Sequence, residues 1–216
     1  MAKAGGIGDV KDVTAMMAKG YAPGSSADLP AHKGKPHPPS LPTTDLAAIP
    51  GRKVSTSGQR PGWMFVDSWY VIGPFPNPAR QNIDKQFPPE TVIDLDAAYE
   101  GKNGRIVRWR FIQTGTPQLV PPDMEDYAIY YAWTELYFEE AMDVWIAVGS
   151  DDKSHLWING QLVWMSSDQL KGWQINEGFR KVRFLKGVNR LLYRLENGHY
   201  VAGLSLAVST EGTSTY

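Results

Sequence analysis

Asp151 and Asp152 stand side by side in a Gly-Ser-Asp-Asp loop at 149–152, between apolar runs at 143–149 and 155–159. Paired carboxylates on a tight loop gather hard oxygens, which is what a calcium ion requires, and vicinal hydroxyls of a sugar can complete the shell of such an ion. The same residues have a plainer use, since an aspartate in a turn accepts backbone N–H bonds and solvates the chain reversal. Both readings stay open. Trp173 poses a similar choice. It stands in the polar segment 166–179 beside Gln174, Asn176 and Glu177, where an indole flanked by amides and a carboxylate makes a platform for a sugar ring. The alternative is an indole folded over a sheet edge. Asn197 and His199, either side of Gly198, complete the candidate ligand-binding set of Asp151, Asp152, Trp173, Gln174, Asn176, Asn197 and His199. Asp151 and Asp152 are the candidate metal ligands.

Catalysis is harder to place. Glycoside hydrolysis needs two carboxyl groups about 5–10 Å apart across a cleft, and the available carboxylates are the neighbours Glu139, Glu140 and Asp151, Asp152. Adjacent residues on a strand point to opposite faces, so such pairs make poor acid and nucleophile partners. His32, His37, His155 and His199 lack metal-ligand spacing and read as structural residues. There is no phosphate-cradling glycine loop, nucleophile elbow, zinc-binding helix motif or EF-hand loop. The expectation is a protein that is not an enzyme. With 22 basic and 23 acidic side chains the net charge is -1, which supplies no field to gather nucleic acid or anionic lipid. Absence of cysteine excludes a disulfide framework, a thiolate metal site and a cysteine nucleophile. No apolar run reaches the roughly 18 residues of a transmembrane segment, and residues 1–10 lack the apolar core of a signal peptide.

The elements that must position these residues follow from a sharp division of the chain. Every Trp, every Phe and every Tyr but Tyr21 lies from Trp63 onward, whereas residues 1–62 hold half of the 16 prolines. An arm so poor in apolar surface cannot bury a core of its own. One short helix is expected in it at 10–22, from the spacing of Val13, Met16, Met17 and Tyr21, and 23–61 reads as extended, polyproline-like chain. From 63 to 216 the sequence reads as strands, at 64–72, 126–138, 143–149, 155–159, 162–165, 181–185, 189–195 and 203–208. Asn159-Gly160, Lys186-Gly187 and Asn197-Gly198 separate them as turns, the first being the clearest hairpin signal. Short strands and turns without an amphipathic helix between them predict an all-β antiparallel sandwich of the jelly-roll kind.

The stretch 148–163, VGSDDKSHLWINGQLV, with Gly172-Trp173, 182–198 and 203–208 after it, resembles galactose-binding-like jelly rolls and the lectin-like domain shared by protective antigen and the flocculins. Upstream, 69–76 and 93–99 look like the entry strands of sandwich modules attached to bacterial polysaccharide-active proteins. The resemblance implies a calcium ion at Asp151 and Asp152 that in turn holds sugar hydroxyls, a glycan or glycan-bearing surface as partner, no other cofactor, and an extracytoplasmic place at a cell surface or in a periplasm. The leading expectation is a non-catalytic carbohydrate-binding module. The other is a structural subunit of a multi-chain complex whose residues 1–62 pack on neighbouring chains.

Overall fold

The computed structural model describes residues 63–210 and the strand Arg52–Val54. The helix expected at 10–22, His32 and His37 lie outside the described residues. The strands are β1 Arg52–Val54, β2 Met64–Phe65, β3 Ser68–Pro76, β4 Ala98–Glu100, β5 Ile106–Arg108, β6 Arg110–Gln113, β7 Ala128–Phe138, β8 Met142–Asp151, β9 Ser154–Ile158, β10 Gln161–Met165, β11 Gly178–Phe184, β12 Gly187–Asn197 and β13 Gly203–Ser209. They form an antiparallel sandwich, as the sequence predicts. The large sheet runs β10-β9-β12-β7-β3-β6, the small one β11-β8-β13-β2, and β4 pairs with β5. β1 is the exception to antiparallel order: Arg52–Val54, inside the proline-rich segment, pairs parallel with Leu136 to Phe138 of β7.

Between the sheets lies a core set by period-2 alternation. Val144, Ile146 and Val148 of β8 face Tyr130, Leu136 and Phe138 of β7 and Leu191, Tyr193 and Leu195 of β12. The intervening residues of β7, Ile129, Tyr131 and Trp133, point the other way and are buried as well. They pack under Phe87, Ile93, Val107 and Trp109, so the segment from Asn77 to Trp109 covers the outer face of the large sheet. Burial on both faces is why 126–138 is so uniformly apolar. The outer face of the small sheet keeps a lighter cluster, Ala147, Phe179 and Ala207, with half-buried Trp63, Phe65 and Trp145 around it.

Three departures from the sequence expectation have physical causes. The run at 64–72 is two strands, because the chain crosses from the small sheet to the large one at Val66 and Asp67. Val66 N–H still bonds Leu206 O of the small sheet at 2.9 Å, while Trp69 Nε1 returns to Val66 O. The expected entry strand at 93–99 is mostly turn, since the Asp94 carboxylate accepts Asp96 N–H at 3.1 Å, and only its last two residues join β4. β4, β5 and β6 carry exposed Glu100, Arg108 and Arg110, which hides any strand pattern. The Asn159-Gly160 hairpin is as expected, both residues taking positive φ, 52° and 79°, the geometry of a two-residue turn between twisted strands.

Candidate functional site

β8 ends at Asp151, β9 starts at Ser154, β12 ends at Asn197 and β13 starts at Gly203, so the connecting loops meet at one end of the sandwich. The segments 120–127 and 166–177 close over the same end. Asp151 is half-buried, paired across strands with Gly203, and its peptide bond to Asp152 is cis. Burial, then the neighbouring Asp152, pushes its carboxyl up to about 6, against the pull of Lys171 and the Trp173 backbone N–H. Asp152 is buried and accepts two backbone N–H bonds: Oδ1 from Lys171 and Oδ2 from Gly198, both at 2.8 Å. Gly198 permits that approach. A Cβ there would stand 2.3 Å from Leu170 Cδ2 and 3.1 Å from Asp152 Oδ2.

Beneath Asp152 is a buried ion pair that sequence spacing did not reveal. Lys171 Nζ donates to Glu177 Oε2 at 2.9 Å, to Ser150 O at 2.6 Å and to Ser150 Oγ at 2.9 Å, with only 5% and 2% of the two side chains exposed. Glu177 Oε2 also accepts Ser150 N–H at 3.0 Å. The loop carrying Lys171 crosses directly over Gly149, where a Cβ would fall 2.0 Å from Gln174 O. That crossing lays Trp173 on the outer face of the small sheet, half-buried, its Nε1–H bonded to Ser205 Oγ at 3.0 Å. Gln174 and Asn176 on the same loop are exposed. Asn197 is buried, and its Nδ2 ties Glu125 O at 2.8 Å.

His199 is exposed and belongs to a cluster that the sequence reading did not assemble. Its Nε2 meets Tyr127 Oη at 2.5 Å and its Nδ1 lies 3.5 Å from Asp126 Oδ2, with the His199 and Tyr127 rings edge-to-face at 4.4 Å. Asp126 Oδ1 accepts Tyr200 N–H at 2.8 Å. Tyr127 and Tyr200 both hold the left-handed backbone, φ 48° and 67°, which costs a bulky L-residue roughly 1–2 kcal/mol. Tyr200 gains no burial in return, being 87% exposed, with Val201 and Leu170 also exposed nearby. Asn197-Gly198 signals a turn in the sequence, yet the left-handed position falls on Tyr200, and no residue-type rule would have chosen a tyrosine for it.

The carboxylates weighed for hydrolysis do not converge. Glu139 and Glu140 sit in the turn before β8 and Asp151 at its far end, roughly 30 Å away at 3.4 Å per strand residue. Among the described residues no group of three or more His, Cys, Asp or Glu side chains is placed to hold a metal. Asp152 Oδ1 and Oδ2 each receive a backbone N–H and Glu177 Oε2 receives the Lys171 ammonium, whereas Glu177 Oε1 is buried without a hydrogen-bond partner among the described residues. No helix among the described residues is long and apolar enough to cross a membrane.

No family model matches the chain, and no curated protein matches it. Among solved structures it is similar to a β-glucosidase from Kluyveromyces marxianus in complex with glucose, at 12% identity and TM-score 0.40, over 66% of this chain and 16% of that one. It is also similar to a putative β-galactosidase from Bacteroides fragilis, at 11% identity and TM-score 0.33, over 68% of this chain and 23% of that one. The chain spans less than a quarter of either, and similarity at this level speaks to neither activity nor ligand.

Proposed function

We propose that this chain is a non-catalytic carbohydrate-binding module whose ligand sits on the loop end of the sandwich, over Tyr200, His199 and Tyr127. The observation that carries the reading is Tyr200, a ring 87% exposed on strained backbone and pinned by Asp126. Backbone strain without a packing return is a mark of functional positions. A sugar offers an apolar face of C–H groups for the ring, and its hydroxyls find Asp126, His199 and Asp151. A glycan array probed with the full chain and with Tyr200→Ala tests this. The expected result is a signal on one polysaccharide class that the variant loses; uniform absence of signal sinks the proposal.

A second reading, an assembly subunit, is favoured by a different surface. β6 is the outer strand of the large sheet, and Phe111 on it is 58% exposed beside Ile106 at 63%. Unpaired strand edges with apolar side chains invite another chain. Sedimentation of the full chain and of a chain lacking residues 1–51 distinguishes the readings, a fall in particle mass on truncation being the outcome this one requires.

A further inference from the structure

The Asp151-Asp152 loop meets the expectation of a cation in an unforeseen way. A hard divalent ion needs about 6–8 oxygens at 2.3–2.6 Å. Here both Asp152 oxygens and one Glu177 oxygen are engaged by nitrogen, while Glu177 Oε1 is buried without a hydrogen-bond partner among the described residues. Asp152 gives Oδ1 to Lys171 N–H and Oδ2 to Gly198 N–H. The Ser150 carbonyl and Glu177 Oε2 are taken by the Lys171 ammonium at 2.6 and 2.9 Å. The third donor reaches Ser150 Oγ at 2.9 Å, so the ammonium, which has three hydrogens, is saturated. Lys171 therefore grips the loop twice, by its backbone at Asp152 and by its side chain at Ser150 and Glu177.

We infer that Lys171 is the resident cation of this loop: its ammonium supplies the positive charge that holds Ser150 and Glu177 together while its backbone N–H holds Asp152, and the loop end is built without a metal ion. Lys171 is thus a positioning residue, fixing the 166–177 loop and, through Asp152 and Gly198, the turn that carries His199 and Tyr200. This inference stands on the ion-pair geometry and not on the glycan reading, and its test reads ion binding and melting rather than sugar.

Equilibrium dialysis of the full chain against calcium, with melting curves in calcium and in chelator, is the direct experiment. No stoichiometric uptake and an unchanged Tm are expected. Retention of one ion per chain overturns the inference, as does a Tm rise of about 5–10 °C, which a bound ion would give at a hundredfold excess over its Kd. In a second arm, Lys171→Ala is expected to lower Tm, and methylammonium, which restores the missing group, is expected to recover part of the loss. A Lys171→Ala chain that melts with the parent would overturn the inference. If that variant does not fold, the dialysis of the parent chain decides alone.

Discussion

The covered outer face of the large sheet and the loop end of the sandwich both bury charge, and they use it differently. On the covered face the buried ions of β12, Arg194 and Glu196, tie irregular segments to that strand. Arg194 of β12 donates to Glu90 Oε1 at 3.0 Å and to the carbonyls of Asn82 and Ile83 at 3.0 and 2.6 Å, and Tyr131 donates to the same Glu90 oxygen. Arg80 forks onto Glu196 at 2.7 and 2.8 Å, with Asn77 Nδ2 on the same carboxylate. The loop end has one buried pair, Lys171 and Glu177, and beside it stand groups that bond one another at the surface, Asp126 with His199 and with the Tyr200 N–H, and the exposed Tyr200 ring. Charge that clamps a segment is architecture. Groups left exposed on strained backbone are where a ligand has something to gain.

Removing the central clamp breaks the comparison hardest. Arg194→Met keeps the apolar stem and deletes the guanidinium, leaving the Glu90 carboxylate buried beside Tyr131 without its cation. Loss of one partner from a buried pair costs about 3–5 kcal/mol, so urea unfolding should show a drop of that size. Burial already pushes the Glu90 carboxyl up, with Arg194 the chief counterweight, and so the double change Arg194→Met with Glu90→Gln should cost less than the two singles summed. If the loop end is independent of this face, the folded fraction of Arg194→Met keeps the glycan signal of the parent.

A smaller effect on the same face comes from His155. Burial first, then the neighbouring Arg194 and Lys153, lowers its pKa to about 3, with Asp168 opposing. Its Nδ1 is buried without a hydrogen-bond partner among the described residues, and Trp157 covers it at 5.4 Å. Since the folded value lies below the ordinary histidine value of 6.5, the neutral form contributes stability that is whole above pH 6.5 and declines as pH falls toward 3. Its contribution fades by about 1 kcal/mol per pH unit once the unfolded chain takes up the proton. Replacing it with Gln should flatten the stability profile of the chain between pH 6 and 4 by about that slope, and parallel profiles for parent and variant would contradict the assignment.

The covered face also shows what the sequence could and could not disclose. Apolar and β-branched runs between turn formers placed β8 and β13, and Asn159-Gly160 announced its hairpin, because both signals are local. Residues 126–138 read simply as one strand, so the third layer faced by Ile129, Tyr131 and Trp133 did not show, and the segment from Asn77 to Trp109 that covers them is too polar and too irregular to read as a lid. At the loop end, Asp151 and Asp152 drew attention as carboxylates, but the partner that commits Asp152, Lys171, lies 19 residues on in a polar loop without periodicity. Tyr200 had the opposite fault. An aromatic residue in a strand-rich chain reads as core, and only its φ of 67° and its exposure remove it from that class.

The smallest effect on stability should therefore come from the residue with the most exposed ring. Tyr200→Gly relieves roughly 1–2 kcal/mol of left-handed strain and gives back about 0.4–1 kcal/mol through the freer unfolded chain, so urea unfolding should move by no more than about 1.6 kcal/mol and in the stabilising direction. Tyr200→Ala, which keeps the strain and loses the ring, should stay within about 0.5 kcal/mol of the parent. Both should weaken glycan binding about fivefold to tenfold, as loss of a stacking contact worth about 1 kcal/mol implies. A Tyr200→Gly chain that loses several kcal/mol while binding as before would make Tyr200 another clamp, and the difference between the two regions would vanish.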